Sequence, residues 1–154
     1  MRFYSIKKKQ HLPISLKEAW AFFSSPNNLQ KITPARMNFT VTSDKKEGEN
    51  MHIGQIITYT LTPVLGIRVK WMTEITHIKE GHYFIDEQRF GPYKLWHHKH
   101  TFVETPNGVD MYDDVNYVLP LGFLGTIAHS LFVKKQLEHV FIYRTKVTEE
   151  LFGK

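Results

Sequence analysis

Between Tyr83 and Val118 apolar and polar residues alternate with a period of two, and two turn signals interrupt the alternation, Gly91-Pro92 and Pro106-Asn107-Gly108. The pattern predicts three antiparallel strands, His82 to Phe90, Tyr93 to Glu104 and Val109 to Val118, because side chains on a strand point to opposite faces in turn. The same reading places a strand at Ile67 to Lys79, closed by Glu80-Gly81, and another at Gly54 to Thr62, closed by Pro63-Val64-Leu65-Gly66. Met37 to Ser43 is a further strand, and Asp44 to Asn50 a charged turn. Residues 2–11 make the first strand, and their lysines suit an edge or a solvent side. Next, Ser15-Leu16-Lys17-Glu18 has the form of a capping box, opening a short helix through Ser24 with Leu16, Ala19, Trp20 and Phe23 at helical spacing. Pro26-Asn27-Asn28 starts a second short helix through Ile32, and Pro34 prevents its continuation.

After Pro120-Leu121-Gly122-Phe123-Leu124-Gly125 the period becomes helical, from about Phe123 to Leu151. Ile127, Leu131, Val133, Leu137, Val140, Phe141, Val147 and Leu151 form its apolar stripe. At 1.5 Å per residue such a helix is roughly 40 Å long, enough to lie across a whole sheet. The prediction is therefore an α+β chain: a curved seven-stranded antiparallel sheet, two short helices between strands one and two, and one long C-terminal helix. A helix laid in the concave face of a strongly bent sheet leaves space between the two.

Composition narrows the function. The 154 residues, 42% hydrophobic and 23% charged, suit one domain spanning 1–154 around a single core. No run of about 18 apolar residues exists, so no transmembrane segment is expected. Residues 1–9 hold no apolar region of secretory type. The absence of cysteine rules out disulfides, thiolate nucleophiles and zinc–thiolate sites, and fits a cytoplasmic location. The net charge of +5 comes from dispersed lysines (Lys7 to Lys9, Lys45 and Lys46, Lys134 and Lys135) rather than a basic stripe. Nucleic acid is not expected as a partner.

Candidate chemistry lies on one parity of the last three strands. Phe84, Asp86, Gln88 and Phe90 share a face, as do Trp96, His98, His100 and Phe102, and Asp113, Val115 and Tyr117. Turned inward, these faces give an aromatic wall bearing two carboxylates, two imidazoles, an amide and a phenol, as a small-molecule pocket requires. Buried carboxylates and imidazoles are tolerable only when paired, so His98 or His100 is expected on Asp86 or Asp113. Such a cluster serves as a polar clamp for ligand, as a satisfied network that fixes strand register, or as acid/base machinery with a histidine moving a proton and an aspartate orienting it. With the parity inverted, His97, Lys99 and Thr101 would face inward instead. His-x-His with an aspartate also suits zinc or non-haem iron. Histidines 11, 52, 77, 82, 129 and 139 add no supporting spacing, so neither a metal nor another cofactor is expected. Tyr59 and Trp71 extend the aromatic wall or pack as ordinary sheet residues. Arg144, inside the apolar stripe, either snorkels to solvent or reaches into the pocket. Phe141, with Val140, packs in the core or meets the ligand, and Phe123 and Leu124 would gate the mouth on hinges at Gly122 and Gly125.

Taken with the order of elements, Phe84-Ile85-Asp86-Glu87-Gln88, Gly91-Pro92-Tyr93, Trp96-His97-His98-Lys99-His100-Thr101-Phe102, Asp113-Asp114-Val115-Asn116-Tyr117, Leu119-Pro120-Leu121-Gly122 and Phe141-Ile142-Tyr143-Arg144, with Thr33-Pro34, carry a resemblance. Over nearly its whole length the chain resembles the helix-grip fold of the START/Bet v 1-like (SRPBCC) superfamily, in a bacterial ligand-binding subgroup near polyketide cyclase/dehydrase-like proteins. The resemblance implies a hydrophobic ligand of lipid, polyketide or aromatic type. It leaves open a cyclase- or dehydratase-like enzyme, and an interaction module offering a basic surface to a protein or an anionic membrane. Oligomeric state is not readable.

Overall fold

The computed structural model describes residues 1–43, 49–63 and 66–154. The elements follow in the order β1 (Phe3–Leu12), α1 (Leu16–Phe23), α2 (Pro26–Lys31), a 3-10 turn (Ala35–Met37), β2 (Thr40–Val41), β3 (Ile56–Leu61), β4 (Val69–Lys79), β5 (Tyr83–Phe90), β6 (Leu95–Thr105), β7 (Gly108–Val118), α3 (Gly122–Ala128), a wide π turn (His129–Val133) and α4 (Lys134–Phe152). The strands form one antiparallel sheet in the order β1-β7-β6-β5-β4-β3-β2. Every neighbouring pair but β1–β7 is consecutive in sequence, which follows from the short turns. The capping box is present: Ser15 Oγ accepts from the Glu18 amide, and Glu18 Oε2 accepts from the Ser15 amide at 3.0 Å.

Some elements differ from the expectation. The second strand shrinks to Thr40–Val41, because Met37 closes a 3-10 turn and Asn38 takes a left-handed conformation at φ 46°. The fourth strand starts at Val69, after Gly66 at φ 69° and Ile67, which is largely exposed. Of the expected turns, Asp44 to Gly48 and Val64-Leu65 lie outside the described residues. The long C-terminal helix is present from Gly122 to Phe152, and the π-helical stretch His129–Val133 widens it between α3 and α4. Its sheet-facing stripe is Leu137, Phe141, Arg144 and Thr148, two of them polar, whereas Ile127, Leu131 and Leu151 are exposed. The arginine and threonine hold buried positions through polar partners: Thr148 Oγ1 meets Gln10 of β1 at 2.7 Å and the Arg144 carbonyl at 2.8 Å.

Register decides which residues meet. On the concave face Asp86 of β5 lies opposite His98 of β6, Phe84 opposite His100, and His100 in turn opposite Asp113 of β7. Two irregularities in the β4–β5 pairing, at Met72/Thr73 and Ile75/His77, bend this part of the sheet. They also undo one expectation. Phe90 does not stay on the inner face with Phe84, Asp86 and Gln88: it pairs with Met72 beyond the irregularity and is exposed.

Three apolar clusters fill the space under the sheet. Trp20 and Phe23 of α1 pack on Phe84 and Phe102. Met37, Phe39, Leu61 and Trp71 form a second cluster, and Val115, Tyr117, Leu137 and Phe141 a third. A cavity remains among the three, lined by residues of each.

Candidate functional site

The cavity lies between the sheet, α2 and α4, and has a volume of about 170 Å³, several times the ~30 Å³ that one water takes in the liquid. Its walls are apolar and aromatic: Ile57, Tyr59 and Leu61 on β3, Trp71 and Ile75 on β4, Leu29 of α2, Phe39, and Leu137 with Val140 on α4. Asp86, His98, His100 and Arg144 supply its ionisable lining. The period of two delivers the β3 and β4 residues to this face.

Asp113 sits behind the histidines. Its Oδ1 accepts from His98 Nε2 at 2.7 Å and stands 3.2 Å from His100 Nδ1 and 3.8 Å from Arg144 Nη1. The other face of the pair belongs to Asp86, whose Oδ2 lies 2.8 Å from His100 Nε2 and 3.7 Å from His98 Nδ1. The imidazoles stack on each other with centroids 3.7 Å apart, and Phe84 stacks on His100 at 4.2 Å. Five side chains thus form one buried network, and each histidine touches both carboxylates.

Electrostatics separate the two histidines. Burial pulls the His100 pKa down, but hydrogen bonds and charge from Asp113 and Asp86 outweigh it and raise it above the ordinary value. Burial also pulls His98 down, and the neighbouring His100 adds to this, so His98 ends below the ordinary value despite Asp113. Burial would raise Asp113, yet the hydrogen bonds from His100 and His98 hold it well below the usual carboxylate range. Asp86 is likewise held low, its burial outweighed by the His100 hydrogen bond and the surrounding positive charge. Of the two, His100 takes up a proton more readily than His98. Because His98 Nε2 faces a carboxylate, it carries the hydrogen in the neutral ring, which leaves the lone pair on Nδ1. Two carboxylates then balance protonated His100 and Arg144, the arrangement in which buried charge is tolerable.

Hydrogen bonding is incomplete at this end. Among the described residues, Trp71 Nε1 and Arg144 Nε are buried without a hydrogen-bond partner on residues that line the cavity, while His100 Nδ1 makes no well-aligned hydrogen bond and has the close charge contact to Asp113 at 3.2 Å. Burial raises the Tyr59 and Tyr93 hydroxyls above the ordinary phenol value, so the wall they contribute is uncharged.

No family model matches the chain, and no curated protein matches it in sequence. Solved structures match it in shape. Protein Ms6760 from Mycobacterium smegmatis is 15% identical with a TM-score of 0.66, over 96% of this chain and 92% of that one. Protein CV1439 from Chromobacterium violaceum is 10% identical with a TM-score of 0.73, over 97% of each chain. Ginseng major latex-like protein 151 from Panax ginseng is 13% identical with a TM-score of 0.69, again over 97% of each. The shared architecture is the helix-grip fold. Within the described residues, no helix is long and apolar enough to cross a membrane.

In this helix-grip chain, eight of the residues singled out from sequence line the cavity: Tyr59, Trp71, Phe84, Asp86, Trp96, His98, His100 and Arg144. The inverted parity is not adopted, since His98 and His100 are buried while His97, Lys99 and Thr101 are half-buried on the other face. Arg144 does not snorkel to solvent; it is 9% exposed and turns toward Asp113. The remaining candidates are elsewhere. Gln88 binds the Tyr93 backbone through both its amide atoms and so closes the β5–β6 turn. Phe102 lies beneath Trp20 and Phe23. Val115, Tyr117 and Phe141 pack into the third cluster, and the Tyr117 hydroxyl meets His129 Nε2 at 2.8 Å. Asp113 stands behind the histidines rather than on the cavity lining.

Phe123 and Leu124 do not gate the cavity. They are 78% and 63% exposed, at the start of α3, and neither lines it. Gly125 is no hinge either: a Cβ there would lie 2.2 Å from the Pro120 carbonyl oxygen, so the glycine serves close packing. Sequence reasoning missed Ile57, Thr73, Ile75 and Phe39 as lining. The first three share the parity of Tyr59 and Trp71, and that signal could have found them. Phe39 lies in an irregular segment and offered none.

Proposed function

We propose that this protein binds a mainly apolar small molecule, of lipid, polyketide or aromatic type, in the cavity between its sheet and α4. The observation that carries the reading is the contrast inside one cavity. Its walls are apolar and aromatic, and one end holds Arg144, His100, His98 and Asp86. Binding sites for small molecules have this composition: apolar lining for affinity, and a few polar groups for orientation. The buried nitrogens without partners on Trp71 and Arg144 support it further. Such atoms are costly when left unpaired, and a carbonyl or carboxylate oxygen of a ligand would satisfy them. The ligand's oxygen function therefore sits at the Arg144 end, and its hydrocarbon part runs between Trp71, Tyr59 and Val140.

The test is fluorescence titration with 1-anilinonaphthalene-8-sulfonate, an aromatic probe carrying one anion, alongside native mass spectrometry of freshly purified protein. Saturable binding at one site is expected. Val140→Trp, which fills the cavity from α4, should abolish it, and Arg144→Met should weaken it at least tenfold. Unchanged affinity in both folded variants would remove the cavity as the binding site. Recovery of a retained ligand chemically intact after prolonged incubation distinguishes a binding protein from a catalyst.

A further inference from the structure

We propose that Asp86, His98 and His100 form a divalent transition-metal site at the polar end of the cavity, with Asp113 orienting both histidines. The expectation of no metal came from spacing along the chain, where His-x-His stands alone. The sheet supplies what spacing could not. Asp86 comes from the neighbouring strand β5, in register with His98. One ligand atom from each of the three residues lies within 4.8 Å of the other two. Two of the separations are Asp86 Oδ2 to His100 Nε2 at 2.8 Å and Asp86 Oδ2 to His98 Nδ1 at 3.7 Å. Ligands at about 2.1 Å from a metal stand roughly 3.0 Å apart at a right angle and roughly 3.4 Å apart at a tetrahedral angle. Both separations lie close to these values, and the third, between the two ring nitrogens, is within 4.8 Å, so an ion is seated by turning the two imidazoles toward each other.

The surroundings match a metal centre better than the ligands alone do. A ligating histidine normally donates its other ring nitrogen to a carboxylate, which fixes the ring and makes the ligand more basic. Here Asp113 Oδ1 does this for His98, at 2.7 Å from its Nε2, and stands 3.2 Å from His100 Nδ1 as a charge contact. The nitrogens that face Asp86 are then the ones left to bind metal. Two imidazoles and one carboxylate leave coordination positions open, and all three residues line the cavity, so a ligand oxygen could complete the shell. Two nitrogens and one oxygen suit zinc, cobalt or iron(II), not calcium or magnesium. Without metal, the same pairs are held together by a proton between Asp86 and His100.

The inference rests on the cavity being a binding site, and the two can fail separately. The experiment titrates the EDTA-treated full chain with Co2+ and follows visible absorption, with Zn2+ as competitor. One equivalent should bind, with the absorption of a four- or five-coordinate site. His98→Ala, His100→Ala and Asp86→Ala should each weaken Zn2+ binding at least 100-fold. Asp113→Asn, a positioning change, should weaken it about 10- to 100-fold. His52→Ala and His77→Ala, at exposed positions, should change nothing. If a site variant does not fold, the wild-type chain still decides: one equivalent of Zn2+ must move the ring nitrogen resonances of His98 and His100 and no others. Shifts at surface histidines, or no stoichiometric binding, overturn the metal site. If the anilinonaphthalene probe still binds the metal-free protein in that case, the small-molecule reading stands by itself.

Discussion

Replacing Asp113 by asparagine tests the network at its centre. The carboxylate meets His98, His100 and Arg144 at 2.7, 3.2 and 3.8 Å and is 8% exposed. Asparagine keeps the shape and can still accept from His98, so the packing and one hydrogen bond survive. What disappears is one negative charge, leaving His100 and Arg144 facing Asp86 alone. Removing one partner of a buried ion pair costs about 3–5 kcal/mol. Because Asp86 remains, the lower end applies, about 3 kcal/mol. For a chain of this length that corresponds to a melting temperature lower by about 6–12 °C. Urea unfolding of metal-free protein, followed by tryptophan fluorescence, reads the loss as a lower midpoint at constant slope. The pH dependence supplies an internal control. Asp113 has a depressed folded pKa, so its contribution is fully present above the unfolded value of about 3.9 and is lost as pH falls through the folded value. Asp113's own share of the gap should therefore close only in strong acid, while near neutral pH the gap also follows His98 and His100, whose pKa values Asp113 raises. A loss below about 1 kcal/mol, the value of an exposed pair, would refute the picture of a buried network held by this carboxylate.

The two histidines should give opposite pH signatures in the metal-free protein. His100 has a raised folded pKa, so its contribution is present below about 6.5 and lost as pH rises through the folded value; His98 has a lowered one, so stability falls as pH drops below about 6.5. Urea midpoints across about pH 5–8 should peak near the middle, and His100→Asn should remove the alkaline fall; an unchanged alkaline flank in that variant contradicts the assignment. Phe123→Ser with Leu124→Ser should change stability by less than about 0.5 kcal/mol and leave probe affinity within twofold, since both side chains are exposed; a large loss of affinity would restore them as a gate. Gly108→Ala should destabilise the protein by at least about 1 kcal/mol more than Gly54→Ala. Both glycines have positive φ, but a Cβ at Gly108 would lie 2.1 Å from the Leu12 carbonyl oxygen while Gly54 has open space. Equal midpoints would argue against that close approach.

The strand rhythm, the turn chemistry at Gly91-Pro92 and Pro106-Asn107-Gly108, and the capping box at Ser15 were legible in the chain because they are local. Parity was local too: once His98 faced inward, Trp96, His100 and Phe102 had to follow. Register was not. That each histidine touches both carboxylates depends on which residue of β5 and β7 lies opposite β6, and loop geometry together with the packing of three clusters sets that. Phe90 shows the limit: its parity put it inside, and an irregularity in the β4 pairing put it out. Arg144 shows it from the other side. A cation in an apolar stripe has two outcomes by sequence alone, and only a carboxylate brought from a distant strand made the buried one affordable. Periodicity along the chain specifies faces, because it follows from backbone geometry; which faces meet, and where they leave a hollow, is decided by the whole sheet closing on its helix.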